Sequence, residues 1–159
     1  MGRFSVQVEL ANNDDVVLAQ LGQIKLQDVR RVSLGAVIDT GATRLVLPKR
    51  VVQQLGLRQT GTVGVRYADG RKTTRPLVDG VHLEMLGRSS VFKATVEPRR
   101  TEALIGAIVL EDLDFVVDPT RQQLVPRDPK MIISEEERTC SPRGREPIGR
   151  PEVCQPFFV

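Results

Sequence analysis

The sequence predicts an all-β domain with one or two short helices, followed by an irregular C-terminal tail. Three observations lead there. Phe4, Val6, Val8 and Leu10 alternate with Ser5, Gln7 and Glu9, the period of a half-buried strand. Val63, Val65 and Tyr67 alternate up to Ala68-Asp69-Gly70-Arg71, after which Lys72 to Leu77 returns; Asp-Gly between extended runs is a strong hairpin signal. Beyond Arg127 periodicity gives way to a proline-rich stretch holding Glu135-Glu136-Glu137 and four arginines from Arg138 onward. The expected organisation is a domain over 1–127 and a tail over 128–159.

The remaining elements follow in order. Asn12-Asn13-Asp14-Asp15 reads as a turn and Val16 to Leu21 as the strand returning from it. Val32 to Ile38 is more continuously apolar, which predicts a deeply buried strand. Leu45-Val46-Leu47 is a short strand. Pro48 suits a first helical turn, Leu47, Val51 and Leu55 recur at i, i+4, i+8, and Gly56 is a ready stop, so one helix of about two turns fits. Val81, Leu83 and Met85 alternate with His82 and Glu84; after a turn at 87–90, Phe92, Ala94 and Val96 alternate again. Leu104-Ile105-Gly106-Ala107 is apolar, Ile108 to Asp112 suits a short helix, and Phe115 to Val117 with Gln122 to Val125 flank an Asp118-Pro119-Thr120 turn as a closing hairpin.

Composition narrows the function classes. With 159 residues, 40% hydrophobic and 27% charged, the chain is an ordinary globular protein of one domain. The net charge is +3, but Lys and Arg are scattered, and five Phe, one Tyr and no Trp offer no stacking platform, so no nucleic-acid partner is expected. No run approaches the ~18–20 apolar residues of a membrane span. The N-terminus has no apolar signal-peptide core, and Val6 breaks the myristoylation pattern, so a cytoplasmic location is expected. Cys140 and Cys154 could close a small loop, but in a reducing cytosol they read as free thiols. His82 is the only histidine and reads as a solvent-facing strand residue; no metal site and no cofactor are expected.

The chemistry concentrates at Asp39-Thr40-Gly41, between the apolar runs Ala36-Val37-Ile38 and Leu45-Val46-Leu47. A carboxylate at the mouth of a buried strand is costly unless it is hydrogen-bonded, paired or used. The bland alternative is an Asx-type turn. Peptide hydrolysis by carboxylates needs two of them sharing one proton; the tripeptide occurs once, so if Asp39 is such a carboxylate, one chain supplies half a site and a two-fold dimer completes it. In that picture Thr40 hydrogen-bonds across the dyad and Gly41 permits the tight turn.

The segment from Ala36 to Thr43 resembles the active-site motif of retropepsin-like aspartic proteases, an apolar strand ending in Asp-Thr/Ser-Gly-Ala. Ala103-Leu104-Ile105-Gly106 is similar to that family's second hallmark, and the hairpin at Tyr67, Ala68, Asp69, Gly70 and Arg71 lies where the family carries its flap. The likeness is to single-domain bacterial and cellular members rather than viral ones. It implies a closed β-barrel, an obligate homodimer and endopeptidase action on extended peptides. By position it makes Asp39 the catalytic residue, Thr40, Gly41 and Ala42 the active-site loop and dimer lock, residues 67–71 the flap, and Leu104, Ile105 and Gly106 the support behind the loop. Tyr67 is either a flap residue reaching substrate or a half-buried strand aromatic.

Departures from the pattern are a polar flap with one glycine, Thr43-Arg44 where viral enzymes often carry acids, Ala107 in place of an arginine, and the tail. They motivate an alternative, a non-cleaving module of the same fold that dimerises or binds peptides. The apolar end Phe157-Phe158-Val159 raises a further idea, that the tail occupies the cleft or is self-cleaved.

Overall fold

The structure, a computed structural model, describes residues 3–135. Nine strands and three helices follow one another: β1 Ser5–Asn12, α1 Asn13–Gln20, β2 Arg31–Ile38, β3 Leu45–Pro48, α2 Lys49–Leu55, β4 Gln59–Arg66, β5 Lys72–Met85, β6 Arg88–Glu97, β7 Ala103–Ile105, α3 Ala107–Asp112, β8 Phe115–Asp118 and β9 Gln123–Pro126. Seven strands form one sheet in the order β1-β2-β7-β3-β6-β5-β4, and a further pairing of β1 with β5 closes six of them into a barrel. The all-β closed barrel that the sequence led us to expect is the observed fold.

The barrel is filled by the inward members of the alternating runs. Leu10, Leu45, Leu47, Leu55, Leu83 and Ile105 are all at most 1% exposed, and each such side chain contributes about 1.5–3 kcal/mol by leaving water. The helix α2 closes one end by burying Val51, Val52 and Leu55, and stops at Gly56, whose φ of +61° is the left-handed C-terminal conformation glycine favours.

Two elements differ from expectation. Val16 to Leu21 is no strand: residues 13–20 form α1. Asn12 caps it by accepting from the N–H groups of Asp14 and Asp15, and both acids sit in the first turn, where the helix dipole favours them. The second difference is that Lys72–Leu77 and Val81–Met85 are one strand. The backbone passes through Gly80 at φ +73°, where the pairing with β6 shifts register between Val78 and Val81. The predicted turn at 87–90 is tighter than expected, since β6 already begins at Arg88.

The long β5 shapes the site. Its second half pairs with β1, while its first half carries β4 as a hairpin out from the barrel. Residues 128–135 form no helix or strand, but Arg88 donates to the carbonyls of Asp128 and Met131, and Ile133 N–H donates to Asp114 Oδ2 at 3.2 Å. Cys140, Cys154 and Phe157-Phe158-Val159 lie outside the described residues.

Candidate active site

The strand β2 is buried over Ala36, Val37 and Ile38 and then emerges at Asp39. Its loop is held on both sides by β7, which pairs in parallel with β2 at Ala36–Ala103, Val37–Leu104 and Ile38–Ile105, and antiparallel with β3 at Val46–Leu104. Asp39 N–H donates to Ile105 C=O at 3.0 Å, Ala107 N–H to Ala42 C=O at 2.8 Å and Ile108 N–H to Thr43 C=O at 3.0 Å. The segment 103–108 thus threads between β2 and β3 and fixes the loop's backbone. Gly106 is the crossing point. A Cβ there would overlap the Arg44 carbonyl oxygen and lie 2.7 Å from the Ala42 oxygen, and both neighbours are backbone, so only glycine fits.

Inside the loop, Gly41 N–H donates to Asp39 Oδ1 at 3.0 Å and Ala42 N–H to Asp39 C=O at 3.0 Å. These two bonds close the turn and orient the carboxylate. The second oxygen, Oδ2, has Arg3 Nη2 at 3.9 Å, and the Asp39 side chain keeps 26% of its surface exposed. A bare Asx turn would need the same Gly41 bond, but not the β7 thread behind it.

Asp39 opens into a cleft of about 590 Å³ lined also by Gly41, Ala42, Thr43, Arg44 and Leu104 and, from the opposite side, by Val63 to Ala68 of the β4–β5 hairpin. The Asp39 loop and the β4–β5 hairpin therefore share one cavity. Of the residues singled out from sequence, Asp39, Gly41, Ala42, Tyr67, Ala68 and Leu104 line it. Thr40 is exposed on the loop, and Ile105 and Gly106 are buried behind it. Asp69, Gly70 and Arg71 form the exposed hairpin tip outside the cleft lining. That tip is self-contained: Gly70 N–H donates to Tyr67 C=O at 2.9 Å with Gly70 at φ +83°. Arg71 meets Asp69 through its own N–H at 3.0 Å and its Nε at 2.6 Å. The Arg71 N–H, then its guanidinium, holds the Asp69 carboxyl below its ordinary value.

One cleft residue had no sequence signal. Glu97, at the end of β6, is 8% exposed yet lines the cleft. It accepts from the Tyr67 hydroxyl at 2.6 Å and from Arg75 Nε at 3.0 Å, while Arg75 Nε also lies 3.1 Å from the Tyr67 oxygen. Burial pushes the Glu97 carboxyl up, but the Tyr67 hydroxyl, the Arg75 guanidinium and the Arg100 charge outweigh it and hold it below its ordinary value. The same hydrogen bond to Glu97 raises the Tyr67 phenol, with burial adding to the effect. Tyr67 is therefore both a cleft wall and a latch joining the hairpin to β6. Local alternation predicts Glu97 facing away from buried Val96, and the Tyr67 and Arg75 partners that make its burial tolerable come from the distant hairpin.

Among the described residues no cluster of His, Cys, Asp or Glu is arranged to hold a metal ion, and no helix is long and apolar enough to cross a membrane.

Residues 23–126 match the protein family described as "Aspartyl protease". Over 73 residues the chain is 41% identical to "Antitoxin VapB40" of Mycobacterium tuberculosis, an overlap covering 46% of this chain and 86% of that protein. The same figures hold for "Uncharacterized protein Mb2626" of Mycobacterium bovis. Among solved structures, the simian foamy virus protease is similar at a TM-score of 0.43 and 15% identity, covering 67% of this chain and 91% of that one.

Proposed function

This chain belongs to the aspartyl protease family, and on that premise we propose that it is a homodimeric aspartic endopeptidase of the retropepsin-like kind, whose Asp39 pairs with the partner's Asp39. The observation that carries the reading is a carboxylate fixed by its own loop and by the β7 thread, at the mouth of a cleft that the hairpin roofs. The Asp-Thr-Gly tripeptide occurs once in the sequence, so the second carboxylate comes from a second copy.

Two carboxylates at the two-fold axis share one proton, as is characteristic of aspartic proteases. The ionised one takes a proton from water while the protonated one hydrogen-bonds the substrate carbonyl. The water oxygen adds to the carbonyl carbon, and collapse of the adduct breaks the C–N bond as the leaving nitrogen takes a proton. Asp39 supplies this chemistry; Thr40 ties the paired loops together, and Gly41 and Ala42 shape them. The residues Tyr67, Ala68, Asp69, Gly70 and Arg71 cover an extended peptide bound as an added strand. Leu104, Ile105 and Gly106 keep the loop from moving. The test is cleavage of a diverse peptide library by the native protein and by Asp39→Asn, with the solution mass of each. The reading expects a dimer in both cases and cleavage by the native protein alone. A native dimer that cuts nothing overturns it.

A second reading, a non-cleaving peptide-binding module, is favoured by the polar hairpin tip with its Asp69–Arg71 pair and by Ala107 in place of an arginine; one relative is named an antitoxin. Capture of extended peptides without hydrolysis, equal in the native protein and Asp39→Asn, would select it.

A further inference from the structure

The cleft holds more positive charge than its own carboxylates can answer. Arg3, Arg44, Arg66 and Arg100 line it, against Asp39 and Glu97. Glu97 is already engaged by Tyr67 and by Arg75, which is not itself a lining residue, and the Arg100 charge also acts on it, at longer range than a salt bridge. Asp39 is the reacting group of the proposed function and has Arg3 beside it. Arg44, Arg66 and Arg100 form no salt bridge among the described residues. Outside the cleft most arginines are paired, Arg30 with Asp15, Arg31 with Glu9, Arg58 with Asp14, and Arg88 and Arg127 with Asp114, while Arg50 and Arg99 have no such partner among the described residues.

The three arginines come from three segments of the lining. Arg44 precedes β3 beside the active-site loop, Arg66 ends β4 at the root of the flap, and Arg100 lies in the β6–β7 connection, its N–H on Glu97 C=O at 3.3 Å. Arg44 and Arg100 are half-buried. Four arginines against two carboxylates leave the concave site with an excess of positive charge that favours an entering carboxylate, which a guanidinium fork matches in geometry as well as charge.

We infer that the cleft selects peptides carrying aspartate or glutamate side chains close to the bond to be cut, with Arg44, Arg66 and Arg100 as the specificity-determining residues. This rests on the protease reading for the word substrate, but the selectivity itself is a binding property. A two-fold dimer would present the same three arginines on both sides of the dyad, so acidic side chains on either side of the scissile bond are favoured.

Binding to the uncleaving Asp39→Asn protein separates the two questions. Fluorescent extended peptides of one apolar sequence, flanked by glutamates or by glutamines, are titrated against it at low and high salt. The glutamate peptide should bind at least about fivefold more tightly at low salt, with the preference shrinking at high salt. Each of Arg44→Gln, Arg66→Gln and Arg100→Gln should reduce that ratio by weakening the glutamate peptide more than the glutamine peptide. Equal affinity for the two peptides overturns the inference. So does a ratio unmoved by all three substitutions, or tighter capture of a single-stranded oligonucleotide than of the glutamate peptide. Glutamate-selective binding together with a native protein that cuts nothing would uphold the inference and sink the protease reading alone.

Discussion

At Gly106 a single hydrogen in place of a side chain allows the family's loop architecture. Gly106→Ala would drive a methyl group into the Arg44 and Ala42 carbonyls, and backbone cannot swing aside as a side-chain tip can. Overpacking of this kind costs about 1–3 kcal/mol. The variant should show a lowered denaturation midpoint and, because the displaced loop carries Asp39, lose cleavage out of proportion to its stability. At Tyr67 the change to Phe removes the 2.6 Å bond to Glu97 while Arg75 remains to hold the carboxylate. A loss of about 0.5–1.5 kcal/mol is expected by chemical denaturation, with a raised KM if the latch positions the flap. Glu97 and Asp15 also set an acid limit. Hydrogen bonds from Tyr67 and Arg75 overcome burial at the first, and the Arg30 side-chain bond dominates at the second, so both folded carboxyls lie below their ordinary values. The unfolded chain therefore binds more protons, and stability from these groups is complete above the ordinary carboxylate range, roughly pH 4, and is lost as pH falls through the lowered folded values. Urea midpoints measured at about pH 6 and about pH 3 should drop with acid, and drop less in Glu97→Gln.

At the scale of elements, α1 is the clearest case of a pattern that local sequence under-determines. Val16-Val17-Leu18 is apolar and β-branched enough for a strand, but Val17 is 42% exposed, and the helix forms because Asn12 caps it and Arg30 clasps Asp15 through Nε at 2.7 Å and Nη2 at 2.8 Å. The capping signal was present in Asn12-Asn13-Asp14-Asp15; it also satisfies a turn, and only the Arg30 partner decides. Asn12 further donates to Leu55 C=O at 2.9 Å, tying the start of α1 to the end of α2. Asn12→Ala should therefore exceed the ~1 kcal/mol of an ordinary cap loss, read as a fall in thermal midpoint. β5 was legible only in halves because Pro76 and Asp79-Gly80 look like breaks, whereas a bulge at Gly80 carries the strand through. The turn at Asp39, the β4–β5 hairpin and the apolar 104–106 segment were legible as structure because each is a short, local motif. Glu97, Arg75 and the cleft arginines were not, since their roles arise from distant segments meeting.

At the scale of the molecule, six barrel strands, a projecting hairpin and a threaded loop converge on the Asp39 carboxylate. The central claim is that the working unit contains two copies of it. Native and Asp39→Asn proteins, refolded together in varied ratio, provide the measurement: peptide cleavage per native chain. If the dyad spans the dimer, a native chain is active only with a native partner, so activity per native chain should fall to about half in an equal mixture and continue downward with excess variant. Cleavage per native chain that stays constant at every ratio would contradict the account.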